Sequence, residues 1–197
     1  GVKVLNRRGS GFTSDVDAGI QWVIDNKATY GIEVANMSLG ISGCSDGTDS
    51  TSVAVNAAAD AGIVMTVSAG NEGPGKCTIG SPAAAEKAIT LGAMADVTPG
   101  NEASGLPRYG FYLAYFSSRG STADGRTKPD IASPGVFIMA AAAGTTNGYI
   151  EYSGTSMSSP FTAGVAALML AANSSLSPAQ VKSTIESTAL DWGPADK

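Results

Sequence analysis

The stretch IVMTVSAGNEG, residues 63–73, constrains the fold of this chain more than any other. It begins with a nearly continuous apolar run, which is typical of a strand buried on both faces of a parallel sheet. Apolar segments at 32–40 and 87–96 have the same character, and segments with helical patterning lie at 14–31 and 46–62. Alternating strands and helices are typical of α/β proteins with right-handed crossovers. We therefore predict an α/β fold with a doubly wound parallel sheet.

The rest of the chain is assigned from the same kinds of pattern. Its length of 197 residues fits one domain that spans 1–197. Residues 97–115 are rich in glycine, proline and aromatic residues, and we interpret them as a surface insertion. The other predicted elements are strands at 2–6 (VKVLN), 136–142 and 149–154, and helices at 156–173 and 177–190.

Charge and hydropathy exclude two classes of partner. The net charge of −5 argues against a nucleic-acid surface, which needs clustered positive charge. The longest apolar run, at 164–172, is shorter than the ~20 residues that a membrane-spanning helix needs. We expect neither nucleic acid nor a membrane as a partner. The two cysteines, Cys44 and Cys77, fit either two buried thiols or one disulfide in an exported protein.

Polar segments follow two of the predicted strands and begin one of the predicted helices. They are NMSLG at 36–40, SAGNEGP at 68–74 and GTSMSSP at 154–160. In an open parallel sheet, ligands bind outside the carboxyl ends of the strands. The backbone N–H of Ser156 would lie at the positive end of a helix dipole, which suits a developing oxyanion. Taken alone, Ser156 also fits a helix N-cap, and Asn71 fits a turn residue.

Six motifs in order, NMSLG, SAGNEG, GSPAA, FSSRG, KPDIASPG and SGTSMSSP, resemble the subtilisin-like serine proteases. The resemblance runs from residue 1 to about residue 190. It implies that Ser156 is the nucleophile and that Asn71 donates to the oxyanion together with the Ser156 N–H. It also implies a substrate-binding S1 pocket, with walls at Ser38, Leu39 and Gly40 and at Ala69 and Gly70, a rim at Glu72 and a floor at Gly80.

The general base of such a protease is a histidine, and this chain contains none. The resemblance implies that the triad Asp and His precede a strand similar to VKVLN. It also implies that, in the sheet, the strand ending at the Asp lies between the strands that match VKVLN and VANMSL. The resemblance further implies another short strand and helix beyond the C-terminal end. We therefore expect the fold to be incomplete at both ends. The missing N-terminal part of the domain, as a separate chain, is then an expected partner.

Two other functions remain open at this stage. The related sedolisin peptidases use a Glu base and share the SGTS context, but they carry an Asp where this chain has Asn71. A non-catalytic remnant could instead hold peptides by pairing NMSLG with an extended ligand. Such a degenerate remnant has no evident reason to keep both Ser156 and Asn71, whereas an inactive fragment of a protease domain stays open as an alternative. We favour a serine endopeptidase that acts on polypeptides, although this chain alone is expected to be inactive.

The resemblance carries three further implications. The family fold brings the loops of Cys44 and Cys77 together beside the pocket, so we expect them to form a disulfide. The protein is expected to be secreted and to need no cofactor for catalysis. Structural calcium is compatible with the family, and one such site lies near 82–88, but the sequence assigns no complete ligand set. The acidic loop at 45–49 is interpreted as a solvated turn.

Overall fold

The structure, a computed structural model, describes residues 1–97 and 110–191. Its main sheet has five strands, of which four are mutually parallel and one is antiparallel. The parallel strands are β1 (Val34–Met37), β2 (Val64–Ser68), β3 (Ile89–Val97) and β5 (Ile131–Pro134), and the antiparallel strand is β4 (Gly110–Leu113). The predicted α/β fold with a mostly parallel sheet is thus confirmed. A separate hairpin joins β6 (Ile138–Ala141) to β7 (Tyr149–Tyr152).

Helices cover both faces of the sheet. They are α1 (Thr13–Asp25), α2 (Lys27–Tyr30), α3 (Ser50–Asp60), α4 (Thr155–Ala172) and α5 (Pro178–Thr188). Every residue of β2 is buried, as the apolar run predicted. Because side chains alternate along a strand, Met65 and Val67 belong to the core under α1 and α3, whereas Val64 belongs to the core under α4 and α5.

Helix α4 is the longest element in the part of the chain that the structure describes. It has 18 residues and a mean hydropathy of 1.2, so its length and composition alone would suit a membrane span. It is twice as long as the apolar run that the sequence displays at 164–172. The helix packs against β1, β2, β3 and β5, which is the arrangement of a core helix in an α/β domain.

The predicted strand at 2–6 is wrong. These residues form no strand, and Val4 packs so closely on α1 that a methyl group at Gly19 would collide with it. A strand needs a neighbouring strand to pair its backbone groups, and none of the described strands lies beside this segment. Between it and β1 runs a groove of about 580 Å³ with mostly apolar walls. Strand β1 is an edge of the sheet, and its outer side faces this groove.

Only part of the predicted insertion at 97–115 lies within the described residues. Residues 98–109 lie outside the described residues. Beyond them, Gly110–Leu113 forms β4 and pairs with the end of β3 from Asp96↔Phe111 to Met94↔Leu113. This part of the segment therefore belongs to the main sheet, because its backbone completes the ladder of β3.

A buried ion cluster fastens α5 to the sheet. The Asp130 carboxylate lies 2.7 Å from Lys128 Nζ and 3.0 Å from Lys182 Nζ, and it accepts a hydrogen bond from the Thr90 N–H. The side chains of Lys128 and Asp130 are only 2% and 9% exposed. Lys182 Nζ also donates to the carbonyl oxygens of Glu86 and Ala88. One carboxylate thus joins the start of β5, the start of β3 and α5.

The stability of the fold should depend on Lys128 at alkaline pH. Burial lowers the pKa of Lys128 from 10.5 to about 8, although Asp130 opposes the shift. Between these two values the unfolded chain binds a proton that the folded chain has released, so the free energy of unfolding rises with pH. We expect the stability difference between the wild type and Lys128→Met to increase across this window in urea unfolding. A difference that is flat or falls would contradict the assignment.

Candidate active site

Three parts of the chain meet at the edge of the sheet where parallel strands end. Residues 38–40 follow β1, residues 69–72 follow β2, and Ser156 lies in the first turn of α4. All of these residues except Ser38 line one cavity of about 150 Å³. The carboxyl ends of neighbouring parallel strands always lie on the same edge of a sheet, which is why segments far apart in sequence come together here.

The orientation of the Asn71 amide is fixed by Thr155. Asn71 Oδ1 accepts hydrogen bonds from the Thr155 N–H and from Thr155 Oγ1, both at 3.0 Å. The Gly70 N–H donates in turn to Thr155 Oγ1 at 3.2 Å. Because the amide oxygen is engaged, Nδ2 is the end of the side chain that remains to donate, and Asn71 is one of the residues that line the cavity. Thr155 is fully buried, so this anchor is shielded from water.

Ser156 occupies the second position of α4. Gly154 precedes the helix in an extended conformation, and the Met157 N–H already turns back to the Gly154 carbonyl oxygen. The first N–H groups of a helix have no intrahelical acceptor and carry the positive end of its dipole. Among the described residues, no hydrogen bond engages Ser156 Oγ. Ser156 and Asn71 thus line one cavity, an arrangement that is compatible with a nucleophile beside oxyanion donors.

Most of the residues that the sequence assigned to the pocket line this cavity. They are Leu39, Gly40, Ala69, Gly70, Asn71, Glu72, Gly80 and Ser156. Ser38 is the exception, because it lines the adjacent groove and its hydroxyl donates to the Ser156 carbonyl oxygen at 2.8 Å. The roles of these residues as a substrate site remain a prediction.

Two glycines let the floor of the cavity and one of its walls approach each other. A methyl group at Gly80 would collide with the Ile41 carbonyl oxygen, and one at Gly40 would lie 2.7 Å from the Ser81 carbonyl oxygen. Ile41 and Ser81 form an isolated antiparallel bridge through both of their N–H groups. Side chains larger than hydrogen at these positions would therefore push the floor and the wall of the cavity apart.

Asp49 supports the floor of the cavity, a role that our sequence reading missed. It caps α3 by accepting from the Ser52 N–H, and it accepts from Ser81 Oγ at 2.5 Å. Burial raises the pKa of Asp49, but the hydrogen bonds from Ser81, Ser52 and Ser45 outweigh burial and hold it below its ordinary value. An aspartate directly before a helical pattern is an N-cap signal, and it could have been recognised. Its link to Ser81 depends on the fold.

The rim of the cavity carries one carboxylate and one covalent link. Ser42 Oγ donates to Glu72 Oε1 at 3.0 Å across the mouth. Cys44 and Cys77 form a disulfide with their Cα atoms 5.0 Å apart. Composition alone had left open whether these residues are two thiols or one bridge. Both links join the loop after β1 to the loop after β2, so they restrain the width of the mouth.

No metal site is evident among residues 1–97 and 110–191, where no group of three or more His, Cys, Asp or Glu side chains could hold an ion. In the acidic loop, hydrogen bonds from Thr48 lower the pKa of Asp46, which fits a self-contained turn. The loop therefore offers no converging set of carboxylates.

Comparison with known proteins agrees with this geometry. The sequence pattern of the Subtilase family matches residues 1–196. The chain is 39% identical to the serine protease AprX of Bacillus subtilis, covering all of this chain and 47% of that protein. It is 38% identical to subtilisin E of the same species, covering 98% of this chain and 44% of that protein. The chain thus spans less than half the length of these curated relatives.

Solved structures give the same result. Sphericase aligns with a TM-score of 0.79 and 31% identity, over 95% of this chain and 58% of that one. A cold-adapted subtilisin-like serine proteinase aligns with a TM-score of 0.75 and 34% identity, over 98% and 61% of the two chains. Sequence and fold agree, and the chain belongs to the subtilase family.

Proposed function

We propose that this chain carries the nucleophile, the oxyanion site and the specificity pocket of a serine endopeptidase that hydrolyses polypeptides. The observation that carries the proposal is the anchored amide of Asn71. Thr155 holds its oxygen, which leaves Nδ2 as the group that would donate to a tetrahedral oxyanion beside Ser156. A purely structural asparagine would not need a free donor facing a cavity.

The proposed reaction is acyl transfer in two halves. Ser156 Oγ attacks the scissile carbonyl carbon while a histidine accepts the hydroxyl proton, and the carbonyl oxygen becomes an oxyanion held by Asn71 Nδ2 and the Ser156 N–H. The C–N bond then breaks, and the proton passes to the leaving amine. Water, deprotonated by the same base, attacks the acyl-enzyme and restores Ser156 Oγ–H.

The base must come from outside these 197 residues, since they contain no histidine. The open edge of β1 offers a place for the segment that carries it. The outer edge of β1 faces the groove, whose walls include Val4 and the stacked rings of Trp22 and Tyr30. An extended apolar strand could pair with β1 there and cover these side chains. We propose that such a strand brings the Asp and the His of the triad.

The pocket suggests the chemistry of the substrate. A peptide pairing with residues 38–40 would send one side chain into the cavity between the two walls. The Glu72 carboxylate at the rim would attract a basic side chain, although the cavity itself favours no single residue type. The disulfide supports a secreted protein, because such bridges persist in oxidising compartments. Acyl transfer by this set of groups needs no cofactor, and we place no calcium on the described residues.

Fluorophosphonate labelling tests the proposed function. We expect the folded 197-residue chain alone to show no labelling above a Ser156→Ala control. Labelling should appear at Ser156, located by mass spectrometry, when the part of AprX that precedes the matched region is added as a separate polypeptide. Labelling of Ser156 without that addition would show that the base lies within this sequence. Equal labelling of Ser156→Ala would contradict the assignment of the nucleophile.

A second candidate is a chain that binds peptides without cutting them. The cavity of about 150 Å³ beside residues 38–40 is the observation that favours it, because such a cleft can hold an extended peptide whether or not a base is present. Isothermal titration with peptides separates the two functions. Peptide binding together with no labelling of the complemented chain would favour this candidate.

A further inference from the structure

We infer that Asn36, Ser38 and Thr66 form a hydrogen-bond relay that positions the nucleophile by holding the main-chain carbonyl of Ser156. Thr66 Oγ1 lies 3.2 Å from Asn36 Oδ1, Asn36 Nδ2 lies 3.1 Å from Ser38 Oγ, and Ser38 Oγ lies 2.8 Å from the Ser156 carbonyl oxygen. The three side chains are positioning residues, since they act on the reaction only through Ser156.

Pro160 creates the need for this relay. In an α-helix the carbonyl of each residue accepts from the N–H four residues later, and the residue four after Ser156 is Pro160, which has no N–H. The proline ring also crowds the carbonyl of the residue four before it. The Ser156 carbonyl therefore cannot receive its regular helical bond. Ser38 Oγ supplies a donor from outside the helix in its place.

The direction of every bond in the relay follows from the acceptor at its end. A carbonyl oxygen only accepts, so the single proton of Ser38 Oγ must point to Ser156. The lone pair of Ser38 Oγ is then free to accept from the Asn36 amide NH2 group. This places Asn36 Oδ1 toward Thr66, whose hydroxyl must donate. The strand register explains the last contact, because Asn36 of β1 lies opposite Thr66 of β2.

The relay starts in the core and ends at the nucleophile. Thr66 is fully buried, so the relay has a rigid origin on the interior strand β2. On the N-terminal side of Ser156, Asn71 holds the Thr155 N–H, and on the C-terminal side Ser38 holds the Ser156 carbonyl. The backbone on both sides of the reacting residue is thereby fixed, and such positioning matters because small misplacements of a reacting group are costly in rate.

An isosteric change tests the direction of the relay. In Asn36→Asp the shape is kept, but a carboxylate only accepts, so it would draw the Ser38 proton away from Ser156. We expect the Ser156 carbonyl to lose its donor in Asn36→Asp and in Ser38→Ala. The bond should be kept in Ser38→Thr, which retains a hydroxyl, and in Ser42→Ala, which removes a pocket-wall hydroxyl that donates to Glu72 instead.

Carbonyl NMR reports this bond whether or not the chain is active. Ser156–Met157 is the only Ser-Met step in the sequence, so carbonyl-13C serine combined with 15N methionine gives one correlated resonance. It should move upfield in Asn36→Asp and in Ser38→Ala, and it should stay in place in the two controls. Circular dichroism checks that each variant is folded. An unmoved resonance in folded Ser38→Ala would overturn the relay.

The positioning role rests on the proposed peptidase function and has its own readout. In the complemented chain we expect Asn36→Asp to lower kcat for a peptide substrate by about 10-fold, with KM unchanged. A change confined to KM would overturn this role, because it would show that the relay acts on peptide binding and not on the nucleophile. If the complemented wild type neither labels nor hydrolyses, the proposed function fails, while the carbonyl resonance still decides whether the relay exists.

Discussion

Replacing Asp130 by alanine is expected to lower the free energy of unfolding by about 3–5 kcal/mol, the usual cost of leaving a buried charge without its partner. The carboxylate is the shared partner of Lys128 and Lys182 and also accepts from the Thr90 N–H. Without it, two ammonium groups would stay close together, and their remaining partners would be carbonyl and hydroxyl oxygens and, for Lys182, the more distant and partly exposed Glu186 carboxylate at 3.9 Å. Urea unfolding followed by circular dichroism measures the loss.

The Lys87–Asp60 pair provides the matched control. It is also a Lys–Asp contact, at 2.5 Å, but its side chains are 45% and 63% exposed. Asp60→Ala should therefore cost no more than about 1 kcal/mol, because water screens the pair in the folded state. The loss of stability in Asp130→Asn should fall between the losses in Asp130→Ala and Asp60→Ala, since the amide keeps an acceptor for the Thr90 N–H but removes the charge. Equal losses for Asp130→Ala and Asp60→Ala would show that burial of the Asp130 cluster does not matter.

Changing Asn71 to aspartate should reduce the rate of acylation by about 10²–10³-fold, the range seen when one oxyanion donor is lost. One carboxylate oxygen can still accept from the Thr155 N–H and hydroxyl, so the anchor is retained. The other oxygen would place a negative charge where the amide now offers a donor. The measurement is the labelling rate of Ser156, or kcat for a peptide, in the complemented chain.

Asn71→Ala separates the catalytic role of this residue from its structural role. We expect the same loss of rate and, in addition, a loss of about 1–3 kcal/mol in stability, because the buried Thr155 N–H would have no acceptor. Asn71→Asp should stay close to the wild type in unfolding experiments. An Asn71→Asp variant that labels at the wild-type rate would mean that its Nδ2 group is not an oxyanion donor.

The sequence predicted the elements that have a strong local signal. The stretch at 63–73 contains β2, an interior strand of the sheet, because a nearly continuous apolar run suits a strand that is covered on both faces. Gly31, which ends the first helical pattern, has a left-handed conformation and follows α2. The motifs that contain Asn71 and Ser156 predicted that the two residues lie together, and both line the same cavity. Each of these features depends on a few neighbouring residues.

The prediction of a strand at 2–6 was wrong because a strand depends on distant residues as well as on its own. Apolar residues at Val2 and Val4 suit a strand, but a strand also requires a partner, and sequence patterns do not reveal whether the partner is present. β4 and β5 were missed in a similar way. They are four residues each, too short for a periodic signal, and they are strands only because β3 offers both of its edges.

The sequence by itself determined the fold class and the order of the main elements, and it predicted that Ser156 and Asn71 lie in one site. Tertiary structure alone decided the contacts between residues that are 30 to 118 positions apart, such as Thr66 with Asn36 and Ser38 with Ser156. Apolar patterning is written along the chain because burial acts on each residue in turn. The direction of a hydrogen bond depends on which donor faces which acceptor, and only the packed strands and helices bring these groups together.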